Sequence, residues 1–447
     1  MLLEKRGKMP YNKENKFRSI IYMNIFFYTL GCKVNQYETQ VMAEALEQKG
    51  HRIVTDIEAA DCAVINSCTV TAESDRKTRQ AVRRMRRRLP SGVVILVGCM
   101  PQAFPEEGAA LSEADIVTGN ASPQKIPELL DRFIKSGDRI VEILPHERDE
   151  KYSTPAICRF EERTRAYMKV QDGCDRYCTY CTIPKARGVI RSRTLGEIEA
   201  EAARLAENGF KELVLVGINL TSFGRDLGKT ICDAVSAAAK PEGIKRIRLG
   251  SLEPDHISDE TLEKLKGEEK FCPQFHLALQ SGSDTTLKRM NRHYDTAFYR
   301  DLVKRIRDRF ENPSITTDIM VGFAGETEEE FNESVAFLKE IGFARAHVFA
   351  YSRREGTVAA ALKSQVEPAE KDRRAAVMAR AAEECEEKFL KTQVGKTASV
   401  LVERYKDGLA EGYTENYTRL SFPYPTDPTG EILSVRVTEA MPIKFSF

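Results

Sequence analysis

Strand and helix signals alternate along most of this chain in two runs, and that alternation limits it to a small set of architectures. In the first run, apolar strands are predicted over residues 24–30, 62–66, 93–97 and 115–117, with helices over 36–48, 73–88 and 123–134. In the second run, six strand signals follow at 165–170, 212–218, 246–251, 274–280, 315–321 and 346–351. Helical stretches separate them, among them 195–207, 258–265, 297–309 and 328–341. Strands that alternate with helices build mostly parallel sheets covered on both faces. The first run therefore predicts a parallel-sheet α/β domain, and the six repeats of the second predict a partial (β/α)6 barrel. A charged helix over 367–390 leads to short strand signals at 398–403, 409–414, 419–423 and 432–438, which predict a small C-terminal β-barrel. The expected organisation is an extension over 1–23, without periodic pattern and expected to be disordered, then domains over 24–145, 164–385 and 390–447. A charged linker over 146–163 joins the first two.

Open parallel sheets bind ligands at the carboxyl ends of their strands, and that is where the cysteines fall. The chain has 11 of them. It carries no apolar h-region of a secretory signal, so metal or redox use is the better reading than disulfides. Asp172-Gly173-Cys174-Asp175-Arg176-Tyr177-Cys178-Thr179-Tyr180-Cys181 places three thiols at C-x3-C-x2-C spacing directly after the first barrel strand. A closed zinc site needs a fourth ligand close by. Three thiols suit a four-iron four-sulfur cluster with one open iron, a zinc knob or unrelated thiols being the competing readings of the loop. Cys32, Cys68 and Cys99 each fall just past a strand of the first run, so thiols far apart in sequence can meet at one edge. Convergence and unrelated core cysteines are both open readings of that pattern. Cys62, Cys232, Cys272 and Cys385 read as structural, and His276 and His293 as packed or surface histidines.

The C-x3-C-x2-C segment resembles the signature loop of radical S-adenosylmethionine enzymes. That resemblance implies that Cys174, Cys178 and Cys181 hold a 4Fe-4S cluster whose open iron chelates S-adenosylmethionine, with Tyr180 against the adenine. It also implies cofactor contacts at the barrel strand ends, for which Gly217, Asn219, Ser251, Glu253, Gln280 and Asp318 are the candidates. Tyr28-Thr29-Leu30-Gly31-Cys32-Lys33-Val34-Asn35-Gln36-Tyr37-Glu38, Asn66-Ser67-Cys68-Thr69-Val70-Thr71 and Val97-Gly98-Cys99-Met100 resemble motifs of the methylthiotransferase family. In that family the matching cysteines, here Cys32, Cys68 and Cys99, hold a second 4Fe-4S cluster. The residues from Lys33 to Glu38 resemble most the branch acting on threonylcarbamoyladenosine in tRNA. The resemblance implies methylthiolation at C2 of that nucleoside beside the anticodon. Isopentenyladenosine in tRNA or a ribosomal-protein aspartate would be the substrate in the sister branches. The C-terminal strands resemble the family's RNA-binding module.

Charge adds a local signal to a neutral whole. The formal net charge is +1, which gives no global attraction to nucleic acid. Residues 76–88, however, contain eight Lys or Arg and no acid, and Arg83, Arg84 and Arg87 there are candidates for RNA phosphates. A solvated helix face is the bland alternative. Residues 390–447 are balanced, with seven basic and seven acidic groups, and Tyr413, Tyr417, Phe422 and Tyr424 could stack on bases or fill a core. No apolar run approaches the ~20 residues of a membrane span. The expectations are thus a cytoplasmic tRNA-modifying enzyme without a membrane partner, needing an electron donor such as flavodoxin or ferredoxin and a sulfur source. The rival of another class is a non-catalytic iron–sulfur protein that binds RNA or carries electrons.

Overall fold

A computed structural model describes residues 22–158, 164–439 and 443–445. Of the expected extension, residues 1–21 lie outside the described residues, as do 159–163 of the expected linker. The chain divides into two compact units. The first comprises the residues up to Glu147 with Ser153–Pro155 and Lys185–Arg187; the second comprises Arg148–Tyr152, Ala156–Pro184 and the chain from Gly188 onward.

The first unit is built on six parallel strands: β1 (Asn24–Thr29), β2 (Arg52–Val54), β3 (Cys62–Ser67), β4 (Val93–Gly98), β5 (Ile116–Thr118) and β6 (Ile140–Glu142). Their order is β2-β1-β3-β4-β5-β6. β3 and β4 are buried at every position, as apolar runs covered on both faces should be. Their side chains alternate between two cores. Val64, Ile95 and Val97 join Met42 and Leu46 of helix α1 (Lys33–Gln48) on one face. Ala63, Ile65, Val94 and Leu96 join Val82 and Met85 of helix α2 (Ala72–Arg88) on the other. The three-residue edge strands β2 and β6 escape sequence reading because they are too short to show a period. Met23, assigned to the extension, is already in the fold: its carbonyl accepts from Arg52 N at 3.0 Å.

The second unit contains β7 (Arg165–Lys169), the short hairpin pair β8 (Gln171–Asp172) and β9 (Arg191–Ser192), β10 (Glu212–Val216), β11 (Arg246–Leu249), β12 (Ser251–Leu252), β13 (Gln274–Leu277), β14 (Ser314–Val321) and β15 (Arg345–Ala350). Two parallel sheets, β11-β10-β7 and β12-β13-β14-β15, form the partial barrel. The third predicted strand splits into β11 and β12 at Gly250, whose N–H still bonds the Leu215 carbonyl at 2.9 Å. A glycine marks the corner where the wall turns from one sheet to the next. Several of the covering helices begin at side-chain caps, including capping boxes Thr194/Glu197 and Thr327/Glu330.

The same unit ends in a five-stranded antiparallel sheet of β16 (Thr397–Lys406), β17 (Leu409–Thr414), β18 (Thr418–Pro423), β19 (Ile432–Arg436) and β20 (Ile443–Phe445), ordered β19-β16-β17-β18-β20. It packs on the amino ends of β7, β10 and β11. Arg248, 1% exposed, donates through Nε to Glu212 Oε1 (2.8 Å) and through Nη2 and Nη1 to the carbonyls of Thr414 and Glu415 (both 2.6 Å). Arg246 reaches the Tyr413 carbonyl at 3.0 Å, and the Arg165 guanidinium lies 4.6 and 4.8 Å from the ring centres of Tyr413 and Tyr417. Those two rings are stacked on each other and buried, and Phe422 and Tyr424 pack in the sheet's own core. Of the two readings of this aromatic set, core filling is the one observed. With the amino ends closed, the loops at the carboxyl ends are left for chemistry.

Candidate active site

β1, β3 and β4 are neighbours in the first unit's sheet, and Cys32, Cys68 and Cys99 stand just beyond their carboxyl ends. Cys32 caps α1, and Cys99 opens the short helix Cys99–Ala103. Buried side chains brace this edge. Asn35 Nδ2 donates to the Ser67 carbonyl (3.0 Å) and to Asn66 Oδ1 (3.2 Å), while Asn66 Nδ2 returns a bond to the Asn35 carbonyl (2.9 Å). Gly98 has φ +109°, and a Cβ there would stand 2.6 Å from both Asn66 Oδ1 and the Ser67 carbonyl oxygen. Only glycine fits that turn. Arg187 and Glu38, both buried, form a two-point ion pair beside the thiols, with Nη2–Oε2 at 2.9 Å. Burial pushes the Cys68 thiol up and the Cys99 thiol up to about 12. Arg187 pulls Cys99 the other way, while Cys68, Glu38 and Cys32 add to the rise.

In the second unit a single loop carries the other thiols. It begins at Gly173 (φ +77°), where a Cβ would collide with the Val189 carbonyl. Cys174 N donates to the Gly188 carbonyl at 3.1 Å, and Cys181 N to the Cys178 carbonyl at 2.9 Å. Neighbouring loops hold the rest. Thr179 N donates to the Met290 carbonyl (3.1 Å), its own carbonyl accepts from Ala359 N (2.8 Å), and Arg176 Nη2 donates to Asp255 Oδ1 (2.8 Å). Burial pushes Cys174 up to about 11 and Cys181 up to about 12, with the neighbouring thiols adding to both. Such thiols stay protonated until a metal takes them, so loading this loop releases protons.

Sequence reasoning missed Arg292. It is buried and sends Nη1 to Cys178 Sγ at 3.2 Å, Nε to the Tyr294 hydroxyl at 3.0 Å, and Nη2 into an ion pair with Glu253. Nothing in the local sequence marks it, because Cys178 and Glu253 come from two other segments of the chain. Glu253, predicted to face the cofactor, is therefore tied to the loop through this arginine. Tyr180 packs edge-on against Phe323, with ring centres 6.2 Å apart. Gly217 and Asn219 form a turn held by Gln171, whose Oε1 accepts from Asn219 N (2.8 Å) and whose Nε2 donates to the carbonyls of Asp172 and Gly173 (2.7 and 2.8 Å). Asn219 Nδ2 is buried with no hydrogen-bond partner among the described residues. Gln280, at φ +69°, donates its N–H to the Asp318 carbonyl at 2.9 Å. Asp318 Oδ2 lies 3.2 Å from His276 Nε2, and Ser251, exposed, is in register with His276. Arg83, Arg84 and Arg87 are exposed on α2 of the first unit.

Among the described residues no three His, Cys, Asp or Glu side chains close on one point as the ligands of a single ion would. Beyond its strand ends each unit instead presents a set of three thiols, with N–H donors aimed at sulfur: Arg292 at Cys178, Ile183 N at Cys181 (3.4 Å) and Asn120 Nδ2 at Cys99 (3.6 Å). That donor set fits a cluster bringing its own iron and sulfide, whose potential such hydrogen bonds tune. The unmatched Asn219 amide fits a ligand with a carboxylate or carbonyl.

Comparison with known proteins places these elements among relatives. Residues 168–338 match the radical SAM superfamily, and residues 24–119 match an uncharacterized protein family, UPF0004. The threonylcarbamoyladenosine tRNA methylthiotransferase MtaB of Bacillus subtilis is 35% identical over 93% of this chain and 94% of its own length. The tRNA-2-methylthio-N(6)-dimethylallyladenosine synthase of Pelotomaculum thermopropionicum is 34% identical over 95% of each. Among solved structures, the radical S-adenosylmethionine methyltransferase TsrM of Kitasatospora setae aligns with a TM-score of 0.54 over 76% of this chain and 77% of its own, at 15% identity, a likeness of fold.

Proposed function

The chain belongs to the tRNA methylthiotransferase family of radical S-adenosylmethionine enzymes, and from that premise we propose that it adds a methylthio group to C2 of N6-threonylcarbamoyladenosine beside the tRNA anticodon. The observation that carries the reading is the pair of thiol triads, each at the carboxyl edge of a parallel sheet, in a chain 35% identical to a protein of that name over nearly its whole length. Cys174, Cys178 and Cys181 would hold one 4Fe-4S cluster, and Cys32, Cys68 and Cys99 the second. When bound, the clusters and S-adenosylmethionine supply the radical, sulfur and methyl chemistry that an unreactive aromatic carbon requires.

The chain's own residues prepare that chemistry. Arg292 directs its charge at Cys178 and orients Glu253, so the loop and the third barrel strand are set together. Gln171 fixes the Gly217–Asn219 turn against the loop, leaving the Asn219 amide for the methionyl carboxylate. Tyr180 and Phe323 form an apolar wall for the adenine, and Ser251, Gln280 and Asp318 stand at strand ends where the rest of the cofactor would reach. The target base must leave its stack to present C2 to groups held at the strand ends, which is cheap for an anticodon-loop nucleotide. Flavodoxin or ferredoxin would deliver the electron, a separate source would restore the sulfur, and the reaction would run in the cytoplasm. Among the described residues no helix is long and apolar enough to cross a membrane.

Dimethylallyladenosine is the second reading, favoured by the 34% identity to a synthase of its methylthio derivative. Anaerobically reconstituted protein should methylthiolate tRNA bearing threonylcarbamoyladenosine and leave the dimethylallyl substrate unchanged; the reverse preference would overturn the assignment. Iron should fall from about eight to about four per chain in a Cys32→Ala, Cys68→Ala, Cys99→Ala variant that still cleaves S-adenosylmethionine but transfers no sulfur. Reduction without any cleavage in the unaltered protein would identify an electron carrier instead.

A further inference from the structure

The eight cations of α2 are not equivalent. Arg79 and Arg83 pair with Glu107 and Glu113 at 3.1 and 3.2 Å, and Arg76, Arg86 and Arg88 pair with Glu73, Asp115 and Glu58. Among the described residues Arg84 and Arg87 have no acidic partner, and Lys77 stands 3.8 Å from a Glu73 already occupied by Arg76. The positions Lys77, Gln80, Arg84 and Arg87 are spaced three and four apart, so they run along one face of the helix. That face lines a surface cleft of about 610 Å³, whose other wall includes the Tyr28 ring of β1. The Arg84 guanidinium lies over that ring, 4.8 Å from its centre.

A merely solvated helix would have no reason to collect its unneutralised charges on one stripe beside an aromatic ring. We propose that this cleft is a docking surface for unpaired nucleotides of an RNA chain: Lys77 and Arg87 meet phosphates, and the Arg84–Tyr28 stack offers a flat platform for a base. The volume suits a ligand of nucleotide size, and stacking on a ring or guanidinium plane with cations along the backbone is how single strands are held without sequence reading. The inference rests on the tRNA reading above and adds to it a surface on the first unit. It also shifts weight from Arg83, which Glu113 neutralises, to Lys77.

The test is the salt dependence of binding, measured by fluorescence anisotropy with the reconstituted full chain, an anticodon stem-loop and a blunt duplex of equal length. Two lost phosphate contacts to a single strand should flatten the slope of log K against log salt by about 1.4, and weaken binding at least about 25-fold at 0.1 M salt, the lost platform adding to the loss of affinity. The Lys77→Ala, Arg84→Ala, Arg87→Ala variant should show both changes with the stem-loop and neither with the duplex. A matched triple, Arg88→Ala, Arg132→Ala, Arg300→Ala, removes the same charge from ion-paired exposed sites and should leave the slope within one unit. Lys in place of Arg84 and Arg87 should restore the slope. Stem-loop binding that is unaltered in the first triple, or equally weakened in both, overturns the surface. Normal slope changes with no methylthiolation by the unaltered enzyme would overturn the function and leave the surface standing.

Discussion

The two ends of the barrel strands are built on opposite principles. At the amino ends, charges answer one another: Glu212, fully buried, faces Arg248, Arg165 and Arg246, and these guanidiniums go on to bind carbonyls and rings of the C-terminal sheet. At the carboxyl ends, left-handed backbone and an unmatched donor lie close to the thiol loop. Tyr177 and Gln280 hold left-handed φ values of 47° and 69°, and Asn219 keeps a buried amide without a partner among the described residues. Left-handed backbone at a non-glycine residue costs about 1–3 kcal/mol. The difference is one of charge: the amino end gathers three guanidiniums around one buried carboxylate, although Arg165 Nη1 there also lacks a hydrogen bond and Tyr417 also holds a φ of 69°, whereas the carboxyl end leaves a neutral amide unmatched where ligands bind.

The largest expected effect tests the end where the charges are paired. Glu212→Gln leaves three buried guanidiniums without their shared anion and should lower the unfolding free energy by about 3–5 kcal/mol in urea. S-adenosylmethionine cleavage per folded molecule should not change. Burial pushes the Glu212 carboxyl up, but Arg248, Arg165 and Arg246 pull it further down, so it ends below its ordinary value. A carboxyl depressed in the folded state stabilises above the unfolded value of about 4.3 and loses that contribution as pH falls through the folded value. Urea midpoints should therefore drop in the native chain from neutral pH to about pH 3, and drop less in Glu212→Gln. Equal acid sensitivity in both would break the contrast between the ends.

Arg292 sits at the opposite end and should respond in the opposite way. Arg292→Met removes the donor to Cys178 Sγ and the partner of Glu253. Ligand-supporting contacts of this kind are worth about 10–100-fold in activity or metal affinity. Cleavage should fall by that order, and the cluster midpoint, read by redox titration with electron paramagnetic resonance, should move to more negative potential because a cation beside the thiolate is gone. Arg292→Lys keeps the charge without the fork and should recover the potential more than the rate. A variant that loses stability with its midpoint unmoved would make Arg292 a packing residue only.

How much of this was legible in the sequence follows from how far apart the partners lie. The Cys174–Cys181 loop was legible because one short segment holds all three thiols. Cys32, Cys68 and Cys99 were legible one step further on, since a parallel sheet puts successive strand ends on one edge. The braces were not: Asn35 meets Ser67, Arg187 meets Glu38, and Arg292 meets Cys178 across separations of 32, 149 and 114 residues, which no periodicity encodes. The split of the third barrel strand at Gly250 was hidden for a related reason, because the alternating run Arg246-Ile247-Arg248-Leu249 does not reveal that the hydrogen-bonding partner changes just beyond it.

The smallest expected effect bears most directly on the claim that the carboxyl end holds polarity in reserve. A buried donor left unmatched costs roughly 1–3 kcal/mol. Asn219→Ala deletes that donor, yet it also deletes Oδ1, which accepts from Thr221 Oγ1 at 3.2 Å, and leaves the backbone bond to Gln171 intact. Gain and loss nearly offset, so stability should rise by no more than about 1 kcal/mol. Affinity for S-adenosylmethionine, measured by equilibrium dialysis of the reconstituted enzyme, should fall about tenfold, the worth of one hydrogen bond to a charged group. An active site that stores an unmet donor for its ligand must show this pairing of unchanged or higher stability with weaker binding. A variant that unfolds more easily while binding the cofactor as tightly would place Asn219 among the residues that merely hold the turn, and the contrast between the two ends would then rest on the paired charges of the amino end alone.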